Sequence, residues 1–317
     1  MWIRPLQQCH KFRCGFSFTM TFTALFVLLV SFTNAQSIPD NTIRVVDGLG
    51  RKVILGAAAQ RIVTLSPHLA ETVYAAGAGQ QLVGVVEHSD YPEAVKQLPR
   101  IGRFDRLYWE ALIRLKPDLV LLWHEGNTVA IRQRLERLNI PYYVAKSEHL
   151  DSIADLVERV GVLAGTSDLA SEEARRLRVL LAAMRQQALE VQTRLSVFVQ
   201  VWRQPLQTLS DKHLVSDVLN LCGADNAFAG AAAIAPVVNI ESVLQKNPDV
   251  ILFAELSAAN LEFWQPWVSI TAVKHKRFIA IDPDLLFRHG PRLLKGARLL
   301  CQQLSAIVQH NPPMVTK

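Results

Sequence analysis

Trp109-Glu110-Ala111-Leu112-Ile113-Arg114-Leu115-Lys116-Pro117-Asp118-Leu119-Val120-Leu121-Leu122 is answered in the second half of the chain by Ile240-Glu241-Ser242-Val243-Leu244-Gln245-Lys246-Asn247-Pro248-Asp249-Val250-Ile251-Leu252-Phe253. In each copy the proline stands seven positions after the glutamate and is followed by an aspartate and four apolar residues. A proline excludes the residue before it from the helical region, so each copy reads as a short helix stopped before the proline. The apolar run then reads as a buried strand starting at the aspartate. One plan used twice predicts two lobes of like construction, each with its own sheet.

Working outward, Ile62-Val63-Thr64-Leu65, Leu82-Val83-Gly84-Val85-Val86 and Tyr142-Tyr143-Val144 are further short runs rich in β-branched or aromatic residues. They alternate with helical patterns, which argues for α/β units and parallel strands. Ile43 to Leu55 reads as a small antiparallel hairpin turning at Asp47-Gly48, an appendage to the first lobe. Between the lobes, Ser167 to Gln192 contains no Gly or Pro and is rich in Ala, Leu, Arg, Glu and Gln. That composition predicts one helix of about 26 residues, nearly 40 Å long, restraining the lobes from hinging far. The fold class expected is therefore α/β, two lobes with parallel-rich sheets flanked by helices and bridged by one long helix. The boundaries are 1–35 for a leader, 36–150 for the first lobe with its hairpin, 151–193 for the linker and backbone helix, and 194–317 for the second lobe.

The leader is read from Arg4, Lys11 and Arg13 ahead of the apolar run Met20 to Phe32, which ends in Thr33-Asn34-Ala35. This is the pattern of a secretory signal peptide cleaved near Ala35. A retained membrane anchor is the competing reading, but the run is short of the roughly 20 residues that span a bilayer. Cleavage removes three basic and no acidic residues, taking the formal charge from +6 to +3 and leaving about 280 residues, enough for two domains. So small a surplus argues against a nucleic-acid partner, which would need clustered Lys and Arg. No later apolar stretch reaches membrane length, so the mature protein is expected to be soluble. Cys9 and Cys14 leave with the leader, and Cys222 and Cys301 remain. An even pair in an exported chain reads as a disulfide, with two buried free thiols as the alternative.

No catalytic signature is present: no nucleophile elbow, phosphate loop, His-Glu-x-x-His or CxxC. The nine histidines are scattered, which argues against a metal site. Ser66-Pro67-His68 lies between a predicted strand and a helix, where it would either cradle an anion or cap the helix, and capping is the simpler reading. Tyr91, Trp123 and Trp202 each follow or close a predicted strand. Any one of them alone would be read as core. Aromatics recurring at strand ends point instead to a shared apolar cleft, because α/β sheets take ligands outside the carboxyl ends of their strands.

Arg61-Ile62-Val63-Thr64-Leu65-Ser66-Pro67, Glu71, Ala75-Ala76-Gly77, Ser89-Asp90-Tyr91-Pro92 and Leu115-Lys116-Pro117-Asp118-Leu119-Val120 together resemble the helical-backbone class of metal-complex receptors. Within it, Leu221-Cys222-Gly223-Ala224-Asp225-Asn226 and Leu300-Cys301-Gln302-Gln303-Leu304 are similar to the periplasmic cobalamin binders. The resemblance runs from about Arg61 to Leu304. It implies a class III periplasmic-binding-protein-like fold and a monomer that carries a corrinoid between its lobes to the membrane permease subunits of an ABC importer. Cobalamin would be cargo rather than a resident cofactor, and no enzyme activity is expected.

Carried over by position, the resemblance implies a Cys222–Cys301 disulfide and one docking glutamate per lobe, Glu110 and Glu241. First-turn acids favoured by the helix dipole would look the same. Phe104 and Trp123 match aromatic cleft positions, Trp202 lies near one, and Asp284 to Arg288 with Pro291-Arg292 match the loop bordering the ligand. Asp284 and Arg288 would hydrogen-bond peripheral amides of the corrin. The chain departs from the pattern at His88, where the family has a ligand-contacting tyrosine, and at Leu285, where it has a tryptophan. His88 is either an axial ligand to a corrinoid lacking its lower base or a histidine that merely packs at the rim. The ligand alternatives are haem and a ferric siderophore. A sensor domain, which should keep a membrane-spanning or output segment, and a nitrogenase-like enzyme, which should supply cluster cysteines, are the readings from other classes.

Overall fold

The two copies of the repeat fold alike, and the reason lies in the residues between helix and strand. In the computed structural model, which describes residues 42–255 and 257–310, Lys116 and Asn247 adopt the same left-handed conformation, with φ of 47° and 42°. Each is six positions past its glutamate and reverses the chain before the proline. Asp118 then accepts hydrogen bonds from the backbone of Gln60 and Arg61 at 2.7 and 2.9 Å, and Asp249 accepts one from Ser196 at 2.9 Å. In both lobes, therefore, the aspartate pins the new strand to the start of the lobe's first one. The strands begin one residue after the aspartate, not at it, because its carboxylate is used for this bond.

In chain order the elements are β1 (Ile43–Val46), β2 (Lys52–Leu55), β3 (Ile62–Thr64), α1 (Pro67–Ala75), β4 (Leu82–Val85), α2 (Trp109–Arg114), β5 (Leu119–Trp123), α3 (Val129–Arg137), β6 (Tyr142–Ala145), α4 (Asp151–Ala164) and α5 (Ser167–Leu189). The second half adds β7 (Ser196–Gln200), α6 (Leu214–Leu221), β8 (Asp225–Asn226), α7 (Ile240–Lys246), β9 (Val250–Phe253), α8 (Ala258–Trp264), α9 (Thr271–Lys274), β10 (Phe278–Ala280), α10 (Pro283–Leu286) and α11 (Leu293–His310). Two four-stranded parallel sheets result, ordered β4-β3-β5-β6 and β10-β9-β7-β8. Read by order of appearance, both are second-first-third-fourth, the same topology twice.

The alternation of strand side chains divides the core. On the outer face of the first sheet Val63, Val120, Leu122 and Val144 pack with Leu112 and Leu135. On the outer face of the second, Phe198, Ile251 and Phe253 pack with Val243 and Trp264. The inner faces, Ile62, Leu119, Leu121 and Tyr143 in one lobe and Val197, Val199, Val250 and Leu252 in the other, join one continuous cluster through α4 and α5. The described residues consequently belong to a single compact unit. The spine helix α5 starts at the expected Ser167 and ends at Leu189, three residues early, which makes it about 34 Å long.

The hairpin pairs as expected, with Ile43 opposite Leu55, but its connection is five residues long, 47–51. Asp47 builds it, accepting from the backbone of Leu49 and Arg51 at 3.0 Å each and from the Arg51 guanidinium at 2.9 Å. Gly48 allows the turn to press on the first lobe: its N–H donates to Val144 at 2.7 Å, and a Cβ there would stand 2.7 Å from that of Lys146. Cys222, at the end of α6, and Cys301, on α11, form a disulfide. The signal-peptide reading falls outside the described residues. Among those described, no helix is long and apolar enough to cross a membrane.

Candidate ligand-binding cleft

Each sheet has a point where the chain, having stepped outward to its second strand, returns to the other side of the first: between β3 and β5 in one lobe, and between β7 and β9 in the other. Ligands of open α/β sheets bind beyond the carboxyl ends of such strand pairs. In the first lobe Ser66 follows β3 and Trp123 ends β5. In the second, Val201 and Trp202 follow β7 and Ala254 follows β9, around a cavity of 440 Å³ also lined by Arg203, Asn260 and Pro283.

Trp123 is half-buried, and Phe104 lies 6.3 Å from it between ring centroids while remaining 39% exposed. Asn127 holds this corner: its Oδ1 accepts from the Trp123 N–H at 2.6 Å, and its Nδ2 donates to the carbonyls of Leu65 and Phe104 at 3.1 and 2.6 Å. A side chain at Gly126 would collide with the indole, its Cβ 2.0 Å from Cε3. Across the cleft Trp202 is 61% exposed, and its indole N–H is tied to the Gln204 carbonyl at 2.9 Å, which fixes the ring in place. Trp202, Gln207 and Val237 pair side by side in a short antiparallel ladder that stiffens this rim.

Ion pairs cross the seam beside the aromatics. Buried Glu71 of α1 accepts from Arg292 at 2.8 and 2.7 Å and lies 3.5 Å from Arg288. Arg288 also reaches Asp90 and Asp284 at 2.8 Å each. Burial pushes the Asp90 carboxyl up, but the Arg288 hydrogen bond and charge outweigh it and hold the group below its usual range. Asp284, where burial prevails over the same arginine, is pushed up instead. The Glu71 hydrogen bond raises Arg292.

Three histidines meet at the same seam. His68 from α1 stands edge-on to Trp123 at 5.4 Å and 6.2 Å from His289, and His213 is 4.9 Å from His289. Burial first, then the neighbouring charges of His289 and Arg288, lowers His68 to about 3. Burial and His289 lower His213 to about 3, and burial lowers His289 to about 4. All three imidazoles are therefore neutral near pH 7. His213 Nδ1 caps α6 by accepting the Val215 N–H at 3.2 Å, which puts its proton on Nε2.

Several expected residues stand elsewhere. Leu285 is buried in the core at 9% exposure, because the single turn of α10 points Leu285 and Leu286 inward beneath Gly296 while Asp284 stays half-exposed at the surface. It is not a rim residue. His88 is exposed and left-handed, with φ of 64°, on the loop after β4. Tyr91 is exposed under the Arg292 guanidinium, 4.1 Å from its centroid, and lines a 560 Å³ cavity against α5. The Ser66 hydroxyl does not cap α1; it pairs with His68 Nδ1 at 3.0 Å. Glu110 and Glu241 are exposed in the first turns of α2 and α7, without an ion-pair partner among the described residues. These helices run back along their sheets, so both glutamates sit at the strands' carboxyl edge, the side on which the cleft opens. Sequence reasoning did not single out Glu71, His213 or His289 as site residues.

A two-lobed receptor with its binding crevice between like sheets is the architecture of an extracytoplasmic solute-binding protein, and the chain belongs to the periplasmic binding protein family, whose profile matches residues 62–285. It is 33% identical over 254 residues to the vitamin B12-binding protein of Vibrio vulnificus, covering 80% of this chain and 93% of that one. It is 35% identical over 247 residues to the vitamin B12-binding protein of Vibrio cholerae, covering 78% and 89%. Among solved structures, that of the periplasmic vitamin B12 binding protein BtuF of Vibrio cholerae superposes with a TM-score of 0.74 at 34% identity, covering 80% of this chain and 99% of that one. The periplasmic haem-binding protein BhuT, at 22% identity and a TM-score of 0.72, shares the fold, covering 79% of this chain and 99% of that one.

Proposed function

We propose that this protein is a periplasmic receptor that captures cobalamin or a related corrinoid between its lobes and hands it to the permease subunits of an ABC importer. The observation that carries the reading is the extent of the likeness to vitamin B12-binding proteins: 254 aligned residues at 33% identity exceed either lobe and so include both walls of the cleft. Phe104, Trp123 and Trp202 supply apolar walls for the corrin, and Asp284 and Arg288 supply hydrogen bonds for its amide rim. Glu110 and Glu241, one per lobe and without an ion-pair partner among the described residues, suit a two-fold symmetric partner with paired cations. The leader would be removed near Ala35 on export, and cobalamin is cargo, not a resident cofactor.

Haem fits less well on physical grounds. Its carboxylates need cations, and of the cleft arginines Arg288 and Arg292 are already bound to Asp90, Asp284 and Glu71, which leaves Arg203. The test is calorimetric titration of the mature protein with cyanocobalamin, dicyanocobinamide, haem and a ferric siderophore in parallel. Near one-to-one binding of the corrinoids is expected. Binding of haem or siderophore alone would keep the fold and replace the cargo.

A further inference from the structure

We infer that His289 is a ligand-recognition residue which, together with the Trp123 indole N–H, holds a primary carboxamide of the bound ligand at the floor of the cleft. This rests on the corrinoid reading and deepens it, since a corrin carries carboxamides around its edge where a haem carries carboxylates. His289 lies between α10 and α11 at 7% exposure, and both of its ring nitrogens are buried without a hydrogen-bond partner. Trp123 Nε1, from the opposite lobe, is likewise buried without a partner. Buried polar groups are nearly always paired, so two unpaired ones on side chains in contact are not a neutral feature of the core. Their rings are nearly perpendicular, at 82°, with centroids 6.3 Å apart. The rings meet edge to face, so a small polar group that pairs with both must enter beside their edges, with hydrogen bonds of about 2.9 Å to each.

The chemistry of the pair selects the group. An indole N–H only donates, and a neutral imidazole donates from one nitrogen and accepts at the other. A carboxamide satisfies both partners at once, its carbonyl accepting from Trp123 and its NH2 donating to His289. A carboxylate has no hydrogen to give the imidazole acceptor, and it would be desolvated without a cation. Protonating His289 to supply one is opposed by its burial. His68 is engaged with the Ser66 hydroxyl and His213 Nδ1 with the α6 cap, which leaves His289 as the member of the trio with both ring nitrogens buried and unpaired.

The experiment titrates the wild type, His289→Phe, His289→Gln and Trp123→Phe with cyanocobalamin and with its monocarboxylic derivatives, in which single side-chain amides are hydrolysed, after thermal melts establish that each variant is folded. Wild type should favour the amide over at least one derivative by roughly tenfold or more. His289→Phe and Trp123→Phe should each weaken cyanocobalamin roughly tenfold and flatten that preference. His289→Gln, which keeps a donor and an acceptor, should restore part of it, as a merely structural role would not. Unchanged affinity and preference in His289→Phe overturns the inference while leaving corrinoid binding intact. A change in the cobalt absorption spectrum on binding that His289→Phe abolishes overturns it too, in favour of direct coordination. Wild type that ignores cyanocobalamin altogether overturns the corrinoid reading itself.

Discussion

The two copies of the helix-proline-strand unit share a backbone and differ at their tips. Both reverse at a left-handed residue and both tether their aspartate to the preceding strand. Yet the first copy ends in Trp123, pressed on Gly126 and surrounded by His68 and His289, while the second ends in Phe253, wholly buried in the outer core. In the second lobe the aromatic at the mouth comes from β7's side instead, as Trp202. The frame is the same in both halves, and the aromatics at their tips are not.

The largest test of that asymmetry is the disulfide, which staples the second lobe alone. Closing a loop whose ends are 79 residues apart should contribute about 4 kcal/mol on the chain-entropy account, so Cys222→Ser with Cys301→Ser should lower chemical-denaturation stability by about that much. A loss confined to a few tenths would mean that the lobes are equally robust without it. Next come the tethers. Asp118→Ala removes two bonds whose exposed N–H groups water can take up, and Asp249→Ala removes one partly buried bond, so each should cost about 1 kcal/mol, both read from urea melts.

Acid acts in a graded way. The unfolded chain binds protons at His68, His213 and His289 from about pH 6.5 downward, while the folded chain resists until about pH 3 to 4. Stability should therefore fall as pH drops through that window, by at most about 1.4 kcal/mol per histidine per pH unit. Replacing all three with Gln should flatten the dependence. Last in free energy is docking: Glu110→Ala with Glu241→Ala should reduce importer-dependent uptake roughly tenfold or more while leaving ligand affinity within about twofold. Equal loss of ligand affinity would contradict the separation of cleft from docking surface.

Much of this frame was legible in the chain. Strand runs at Ile62, Leu82, Leu119 and Tyr142 fell within a residue or two of the observed elements, because alternation and proline stops are local signals. The spine helix and the cysteine pair were legible for similar reasons. What was not legible depends on residues far apart in sequence. His68, His213 and His289 looked scattered because only the repeated topology brings them to one seam, and the Glu71–Arg292 pair spans 221 positions. Leu285 was misjudged because the inward roll of a one-turn helix is set by the packing of α11 behind it, not by its own four residues.

The spine helix also has a consequence for how a loaded receptor would be told from an empty one. With a 23-residue rod and the Glu71–Arg292 and Asp90–Arg288 pairs holding the halves in one relation, occupancy would leave little imprint on the outer contour in the proposed function. In the proposed cycle the importer would therefore meet empty and full carriers of nearly the same silhouette. The information that cargo is present has to be read after the encounter, in the work needed to part the halves.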